Sequence, residues 1–524
     1  MKPTRVAILA ALGMMLSSVS VYSLTPPGGL HVGGPGPIGS IGATIEDHTE
    51  IPVDQTELAH FTAGSTLTVD GRLGHARIAR SGNGETFVML EVKGADSAKA
   101  HVAAPVNLSL VIDRSGSMKG TRIRNAINAA TTAVGRLNEG DTVSVVTFDT
   151  TVQIVVPPTT ISSGSRDRLI DDVRRIGLGG DTCISCGIEQ GMSLIEQTPG
   201  KVNKMILLSD GDANHGVRDV QGFRSIAQRA ASRGMSVTTI GVDVDYNEKI
   251  MAAIAQDSNG HHYFVENDAA LTRVFEAEAE SLTSTVASGA EVAIDLAAGV
   301  ELDRVFDRTF RRSGNRIIVP LGTFGQGDVK TVLLKIKVPA QTDGKVAVAA
   351  VDLTYRDLAA GTESRCEGKL ALEVGDGPGA GDLDPAVSGR VRRSETVTTL
   401  NEANGLFAQG RVAEAQRKLD QQEKTLRTAA DDAKKAAPAS RAKEIDADFQ
   451  NQIAAIGGAN SGFAAPVAAA AAKPSPAFAQ GPNDLGNSSP FATPPPVAAA
   501  PPQESRAGKS AVKLNQQRAV ELGF

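Results

Sequence analysis

The stretch Val106-Asn107-Leu108-Ser109-Leu110-Val111-Ile112-Asp113-Arg114-Ser115-Gly116-Ser117 decides the fold of this chain. Its apolar half ends abruptly in a polar loop, which is typical of a buried parallel strand at its carboxyl end, where open α/β sheets bind ligands. Side chains two residues apart in an extended segment point the same way, so Asp113, Ser115 and Ser117 are expected to converge. A carboxylate and two hydroxyls suit Mg²⁺, Mn²⁺ or Ca²⁺. Taken alone, the loop would equally suit a serine-rich turn that caps a helix.

Two later segments favour the metal site over the turn. Lys204–Asp212 is a second apolar run that ends in an acidic loop, and Gly179–Thr182 supplies a hydroxyl just before a helical stretch. In order and residue type the three loops resemble the von Willebrand factor A family, whose metal-ion-dependent adhesion site reads D-x-S-x-S, then Thr, then Asp-Gly. The resemblance covers Pro105 to about Leu282. It implies these metal ligands: Asp113, Ser115, Ser117, Thr182 and Asp210.

The resemblance also implies a mechanism. In that family the hydroxyls coordinate the ion directly or through water, the aspartates act mainly through water, and one position stays open. Mg²⁺ keeps several waters, so a carboxylate from a partner protein can complete its shell. The expected function is therefore metal-dependent protein binding or adhesion, with Mg²⁺ (Mn²⁺ or Ca²⁺ possible) as a bridge, and not enzyme catalysis. A looser similarity to inter-alpha-trypsin inhibitor heavy chains and to bacterial secreted A-domain proteins leaves the partner unnamed.

Strand and helix patterns alternate around these loops. The segments Thr142–Phe148, Val202–Leu208 and Met235–Val242 have the composition of buried strands. Apolar residues between them repeat at helical spacing, from Ile123 to Leu137 and from Val220 to Ala230. This order predicts an α/β, doubly wound, mostly parallel sheet with helices on both faces.

Short alternating runs on both sides of this region are typical of antiparallel strands. They lie in residues 56–104 and again in residues 287–375, and neither set alone makes a comfortable sandwich. We therefore expect the α/β domain, residues 105–286, to be inserted between two halves of one β-sandwich.

The N-terminal residues have the features of a targeting sequence. Basic residues precede a short apolar core, Val6 to about Leu16, and small residues favour cleavage after Ser23, so residues 1–23 are predicted to be a signal peptide. A membrane anchor is the rival interpretation, but the apolar core is short. The protein is therefore expected to be secreted or periplasmic, with association with the cell surface as a further option. A Gly/Pro-rich linker, residues 24–55, follows.

Beyond the sandwich the sequence predicts helices. Residues 376–456 contain one helix-turn-helix pattern with Gly410 at the turn, followed by a helix from about Arg441 to Ile456. Residues 457–508 are dominated by Ala, Pro, Gly and Ser and are predicted to be disordered. The tail, residues 509–524, recovers charged and aliphatic residues that suit a short helix.

The cysteines are the second distinctive feature. Cys183 and Cys186 directly follow Thr182, at a spacing that allows a disulfide where a helix begins. Three interpretations stay open, in descending order: a disulfide that holds the metal loop, a redox switch that alters Thr182, and two buried unpaired thiols. Zinc would need more ligands than this pair offers. Cys366 is expected to be free or buried.

Charge excludes one class of partner. The chain has 53 Lys and Arg against 59 Asp and Glu, a net charge of −6, so no basic surface for nucleic acid is indicated. The preferred partner is a protein that offers an acidic side chain, and no membrane-spanning segment is expected after signal cleavage. Two alternatives to metal-dependent binding remain: a periplasmic redox protein that uses Cys183 and Cys186, and an assembly scaffold that acts through the helical tail. The oligomeric state stays open.

Overall fold

A computed structural model describes residues 59–80, 82–96, 104–195, 201–471 and 501–523. The predicted signal peptide and Gly/Pro-rich linker lie outside the described residues, as do residues 472–500 within the segment predicted to be disordered.

Four strands in the described N-terminal residues precede the α/β region: β1 (His60–Gly64), β2 (Leu67–Leu73), β3 (Arg77–Ile78) and β4 (Glu85–Gly94). The α/β region itself contributes β5 (Val106–Asp113), β6 (Thr142–Phe148), β7 (Val152–Thr160), β8 (Val202–Ser209), β9 (Met235–Val242) and β10 (His262–Val265). These six strands form one sheet in the order β10-β9-β8-β5-β6-β7, parallel except for β7. The central strands β5 and β8 are buried along their whole length, as their unbroken apolar composition predicts.

Helices cover both faces of this sheet. They are α1 (Thr121–Arg136), α2 (Arg166–Arg174), α3 (Ile184–Leu194), α4 (Val220–Ser232), α5 (Glu248–Asp257) and α6 (Asp268–Thr283). One face packs against α1, α2 and α6, and the other packs against α3, α4 and α5, each around its own hydrophobic core. The predicted doubly wound α/β fold is confirmed.

The strands after the α/β region are β11 (Thr285–Leu296), β12 (Glu301–Phe306), β13 (Arg311–Ser313), β14 (Arg316–Gly325), β15 (Val329–Lys337), β16 (Gly344–Asp357) and β17 (Thr362–Val374). They join β1 to β4 in two sheets, β1-β2-β4-β15-β12 and β13-β14-β11-β16-β17-β3. Each sheet contains strands from before and after the α/β region, and both line a common core. The predicted insertion of the α/β domain into a β-sandwich is confirmed.

A helical region follows the sandwich. Its helices are α7 (Pro385–Ala408), α8 (Val412–Ala436), α9 (Ala442–Ala471) and α10 (Arg506–Gly523). Gly410 has a φ of +78° in the turn between α7 and α8, which explains the glycine there. α7 packs against the sandwich through Val387, which contacts Met89 and Leu333. The predicted helical hairpin is therefore present, but α9 and α10 also pack against it, and α10 reaches the α/β domain.

Within the described ranges, no helix is both long enough and apolar enough to cross a membrane. Pro466 lies inside α9.

His262 on strand β10 is a buried imidazole. Its Nδ1 lies 2.9 Å from the hydroxyl of Thr239, and its Nε2 lies 3.3 Å from the hydroxyl of Tyr246. Burial, aided by the charge of Lys513 on α10, lowers the pKa of His262 to about 3. The folded protein therefore holds this imidazole neutral, with each ring nitrogen next to a hydroxyl group.

This pKa predicts an acid-dependent loss of stability. The unfolded chain binds a proton at His262 below pH 6.5 while the folded chain does not, so stability falls between pH 6.5 and about pH 3. The loss approaches about 1.4 kcal/mol per pH unit for this one proton. Urea unfolding of the wild type and of His262→Gln, measured at pH 7.5, 5.5 and 4.5, should give a shallower pH dependence for the variant. Substitution of the exposed His215 by Gln is the control, and equal pH dependence in the wild type and His262→Gln would contradict the prediction.

Candidate metal centre

Asp113 forms the floor of the site. It ends strand β5, which pairs in parallel with β8, so the carboxyl end of β5 lies beside Ser209 at the end of β8. Asp113 Oδ1 accepts the backbone N–H of Ser115 at 2.8 Å, and Oδ2 accepts the hydroxyl of Ser209 at 2.6 Å. The side chain is fully buried. Both carboxylate oxygens are therefore held in fixed directions.

The first and third loops meet through hydroxyls. Ser117 Oγ donates to Asp210 Oδ1 at 2.7 Å and lies 3.0 Å from Ser115 Oγ. Thr182 Oγ1 and Ser117 Oγ both lie 3.5 Å from the position that a Cβ at Gly211 would take. Ser117 is exposed, while Ser115, Thr182 and Asp210 are buried. The structure thus brings all five predicted residues to one place that opens to solvent at Ser117.

Hydrogen bonds from backbone N–H groups tie the second loop to the other two. The N–H of Gly116 donates to the carbonyl of Gly180 at 2.9 Å. On the other side, Asn214 Oδ1 accepts the N–H of Thr182 at 2.7 Å, and the carbonyl of Thr182 accepts the N–H of Asn214 at 3.1 Å. The threonine hydroxyl is therefore positioned by loops that begin at two neighbouring strands.

The charges of the site suit a cation. Burial raises the pKa of Asp113 to about 6, against its hydrogen bonds from Ser209 and Ser115, and the Asp210 charge adds to the increase. Burial also raises the pKa of Asp210, against hydrogen bonds from Ser117 and Arg122. Two buried carboxylates so close together are stabilised by any positive charge placed between them.

The donor set fits a hard divalent ion. Within the part of the chain that the structure describes, no group of three or more His, Cys, Asp or Glu side chains is placed to hold a metal. The candidate site differs from such acidic cages because it combines two carboxylates with three hydroxyls. Oxygen donors of this kind suit Mg²⁺, Mn²⁺ or Ca²⁺ and do not suit soft metals.

Sequence reasoning missed the partners of Asp210. Arg122 on α1 donates from Nη1 to Asp210 Oδ2 at 2.7 Å, and from Nη2 to Asp243. Asp243 directly follows strand β9, so its position after a predicted strand could have placed it at the same sheet edge. Arg122 gives no such signal, because its role depends on contacts that cross the fold.

Comparison with known proteins decides the family of the α/β region. Residues 107–277 match the family model described as von Willebrand factor type A domain. These residues form a von Willebrand factor type A (VWA) domain.

The relatives of this chain extend beyond the VWA domain. An uncharacterised protein of Synechocystis sp. is 26% identical over 283 residues, which cover 52% of this chain and 66% of that protein. Inter-alpha-trypsin inhibitor heavy chain H1 of Mesocricetus auratus is 25% identical over 179 residues, which cover 31% of this chain and 19% of the heavy chain. The match thus spans about two thirds of the first relative and about a fifth of the second. The predicted resemblance to the VWA family and to the heavy chains is confirmed.

A solved structure shares the fold. The von Willebrand factor type A protein from Catenulispora acidiphila superposes with a TM-score of 0.61 at 17% identity, over 73% of this chain and 90% of that one. The similarity therefore covers more than the VWA domain, and it concerns the fold alone.

A disulfide joins Cys183 and Cys186 next to the second loop of the VWA domain. Cys183 is the residue that precedes α3, it is 1% exposed, and its N–H donates to the carbonyl of Asp149 at 3.0 Å. The predicted disulfide is confirmed, and the alternative of two unpaired thiols is wrong. Cys366 is buried and takes no part in a disulfide within the described chain, as predicted.

Reduction of this disulfide should destabilise the protein. The closed loop is short, so the loss of cross-linking entropy predicts a decrease of about 2 kcal/mol in the free energy of unfolding. Urea unfolding of the full chain with and without reductant measures the loss. The variant Cys183→Ser/Cys186→Ser should match the reduced wild type and should not respond to reductant. A wild type that unfolds at the same urea concentration in both conditions would contradict the prediction.

Proposed function

We propose that the VWA domain binds a divalent cation through Asp113, Ser115, Ser117, Thr182 and Asp210, and that the cation binds an acidic side chain of a partner protein. The observation that carries this proposal is the convergence of three hydroxyls and two buried carboxylates at the carboxyl edge of the sheet. VWA domains are commonly metal-dependent protein-interaction modules, which supports the same function for this one.

The mixture of ligands favours bridging over catalysis. A shell of hydroxyls and water neutralises less of the ion's charge than a shell of carboxylates, so the ion keeps its attraction for an incoming acid group. The opening at Ser117 gives that group access, because Gly116, Asp212 and Asn214 around it are also exposed. Mg²⁺ is the preferred ion, since it retains exchangeable waters, and Mn²⁺ or Ca²⁺ would suit the same donors.

We propose that the protein acts outside the cytoplasm, as a secreted or periplasmic protein. The basic and apolar pattern of residues 1–23 supports this location, and so does the Cys183–Cys186 disulfide, since disulfides persist in oxidising compartments.

The alternatives have less support. A redox protein needs a disulfide sulfur that an attacking thiolate can reach. Cys183 is buried in the bonded state, which leaves only the partly exposed Cys186 open to attack. A scaffold that acts through the helical tail needs a free tail, whereas α10 packs against α7, α9 and the VWA domain.

The proposal predicts weaker cation binding in ligand variants. Ser117→Ala should lower the affinity for Mn²⁺ by about tenfold or more, because it removes one oxygen donor and the hydrogen bond that orients Asp210. Ser117 is exposed, so this variant should fold even if substitution of the buried Asp113 does not. Electron paramagnetic resonance of free Mn²⁺ gives the affinities, with Mg²⁺ as competitor.

The matched control for this measurement is Ser193→Ala, an exposed serine on α3 whose hydroxyl hydrogen-bonds Gln190. It should bind Mn²⁺ as the wild type does. No Mn²⁺ binding by the wild type, or equal affinities in Ser117→Ala and the wild type, would overturn the proposal.

The bridging step predicts competition between water and an acid group at the bound ion. A short blocked peptide that contains Glu should lower the water-proton relaxation rate of the Mn²⁺-loaded protein, because its carboxylate replaces a coordinated water. The same peptide with Gln in place of Glu should leave the rate unchanged. Equal effects of the two peptides would separate cation binding, which would stand, from bridging, which would fail.

A further inference from the structure

The C-terminal helix α10 packs against the VWA domain through specific polar contacts. Gln517 Oε1 accepts the backbone N–H of Phe264 at 2.9 Å, on the edge strand β10. Lys513, which is 7% exposed, donates to the carbonyl of Tyr246 at 2.6 Å and pairs with Glu248. A buried lysine and a side chain that caps a sheet edge are features of a specific contact. The helix therefore occupies a defined seat on this domain.

The first residue of α10 reaches toward the candidate metal centre. Arg506 Nη1 lies 2.7 Å from Asp243 Oδ1, and its Nε lies 3.4 Å from Glu266 Oε1. The other oxygen of Asp243, Oδ2, accepts a hydrogen bond from Arg122. Arg122 in turn donates to Asp210, one of the five proposed metal ligands. Four alternating charges thus connect α10 to the site, and we refer to Arg506, Asp243, Arg122 and Asp210 as the relay.

Arg122 divides its guanidinium between two carboxylates. Nη1 donates to Asp210 and to the carbonyl of Ser117 at 3.0 Å, and Nη2 donates to Asp243, so a change at either acid shifts the balance. A divalent cation near Asp210 would repel the guanidinium and attract the same carboxylate. Cation binding therefore favours Arg122 turned toward Asp243.

Arg506 acts on the other end of this balance. By pairing with Asp243 it neutralises part of the charge that holds Arg122 there. Seating of Arg506 therefore favours the pairing of Arg122 with Asp210. Release of Arg506 leaves Asp243 with one arginine and strengthens its hold on Arg122.

The relay has space in which to rearrange. A cavity of about 210 Å³ is lined by Arg122, Asp243, Glu266 and Arg506, together with neighbouring residues of α1 and α6. The two side chains reach solvent, with exposed fractions of 26% for Arg122 and 57% for Arg506. An exchange of partners therefore requires no repacking of the hydrophobic core.

We propose that α10 regulates the metal centre through the relay: seating of Arg506 on Asp243 lowers cation affinity, and cation binding weakens the seating of the first turn of α10. The two effects are one coupling seen from its two ends, because linkage between two binding events is reciprocal. This inference rests on the proposed cation binding and adds the element that controls it. Arg506 and Arg122 are positioning residues, since they act on the ion through Asp210.

The test compares two charge removals on the same helix. In the full chain, Arg506→Gln should raise the affinity for Mn²⁺ by about fivefold, the lower end of typical allosteric couplings. Lys509→Gln removes an equal charge one turn later, but Lys509 pairs with Asp245 at 3.0 Å, outside the relay. It should change the affinity by less than about twofold, as expected for a screened exposed pair. Equal effects of the two substitutions would overturn the proposal.

A double-mutant cycle separates the relay from long-range electrostatics. In an Arg122→Gln background, Arg506→Gln should have no effect on Mn²⁺ affinity, because the residue that transmits the change is missing. An effect that persists in this background would show that Arg506 acts on the ion without Arg122, which contradicts the relay.

A second measurement tests the reverse effect, that of cation binding on the first turn of α10. At a Mg²⁺ concentration that occupies the wild type but not Ser117→Ala, hydrogen–deuterium exchange of the first turn of α10 should become faster in the wild type and should be unchanged in the variant. If the wild type binds no cation, the proposed function and the relay both fail. If Ser117→Ala binds Mn²⁺ more weakly than the wild type, but neither Arg506→Gln nor Mg²⁺ has the expected effect, the relay alone fails.

Discussion

The parallel pairing of β5 with β8 is the constraint on which the candidate site depends. It places Ile112 beside Leu208, so both strands end together, and the buried hydrogen bond from Ser209 to Asp113 joins their ends. Because one carboxylate is fixed there, the hydroxyls of the first loop can turn toward Asp210. A shift of either strand by one residue would reverse the faces of its side chains and separate the ligands.

The insertion holds the VWA domain at both ends. Strand β4, before it, belongs to one sheet of the sandwich, and β11, after it, belongs to the other. Helix α6 leads directly into β11 and is fixed to the sheet by Glu278, which is fully buried and paired with Lys204. Burial acts to raise the pKa of Glu278, but Lys204 and His261 hold it well below its usual range. Breaking such a buried pair is costly, so movement of α6 is opposed and the more exposed contact at Arg506 is easier to release.

Features encoded in consecutive residues can be predicted from the sequence, whereas contacts between distant segments cannot. Apolar runs that end in polar loops predict β5, β8 and the proposed metal ligands that follow them, because strand burial and strand ends leave a signal in consecutive residues. The prediction that Thr182 is a metal ligand depends on the family resemblance, because a single threonine before a helix does not by itself indicate a metal site. Strand β12 is mostly exposed and lacks the alternation that would predict it. Contacts such as that between Arg122 and Asp243 join distant segments, so only the folded chain reveals them.

Charge balance connects the candidate site with the rest of the fold. A buried carboxylate such as Asp210 needs a counter-charge, and in the chain without a cation Arg122 supplies it. A metal ion would offer a second counter-charge for the same oxygens. The negative charge of Asp210 could therefore be balanced either by Arg122 or by the ion. If a metal ion displaced Arg122 from Asp210, the guanidinium would need another carboxylate. Asp243, with which Arg122 already pairs, is the available one. Because Asp243 also pairs with Arg506, one acid connects the counter-charge of the candidate site with the contact that holds the first turn of α10.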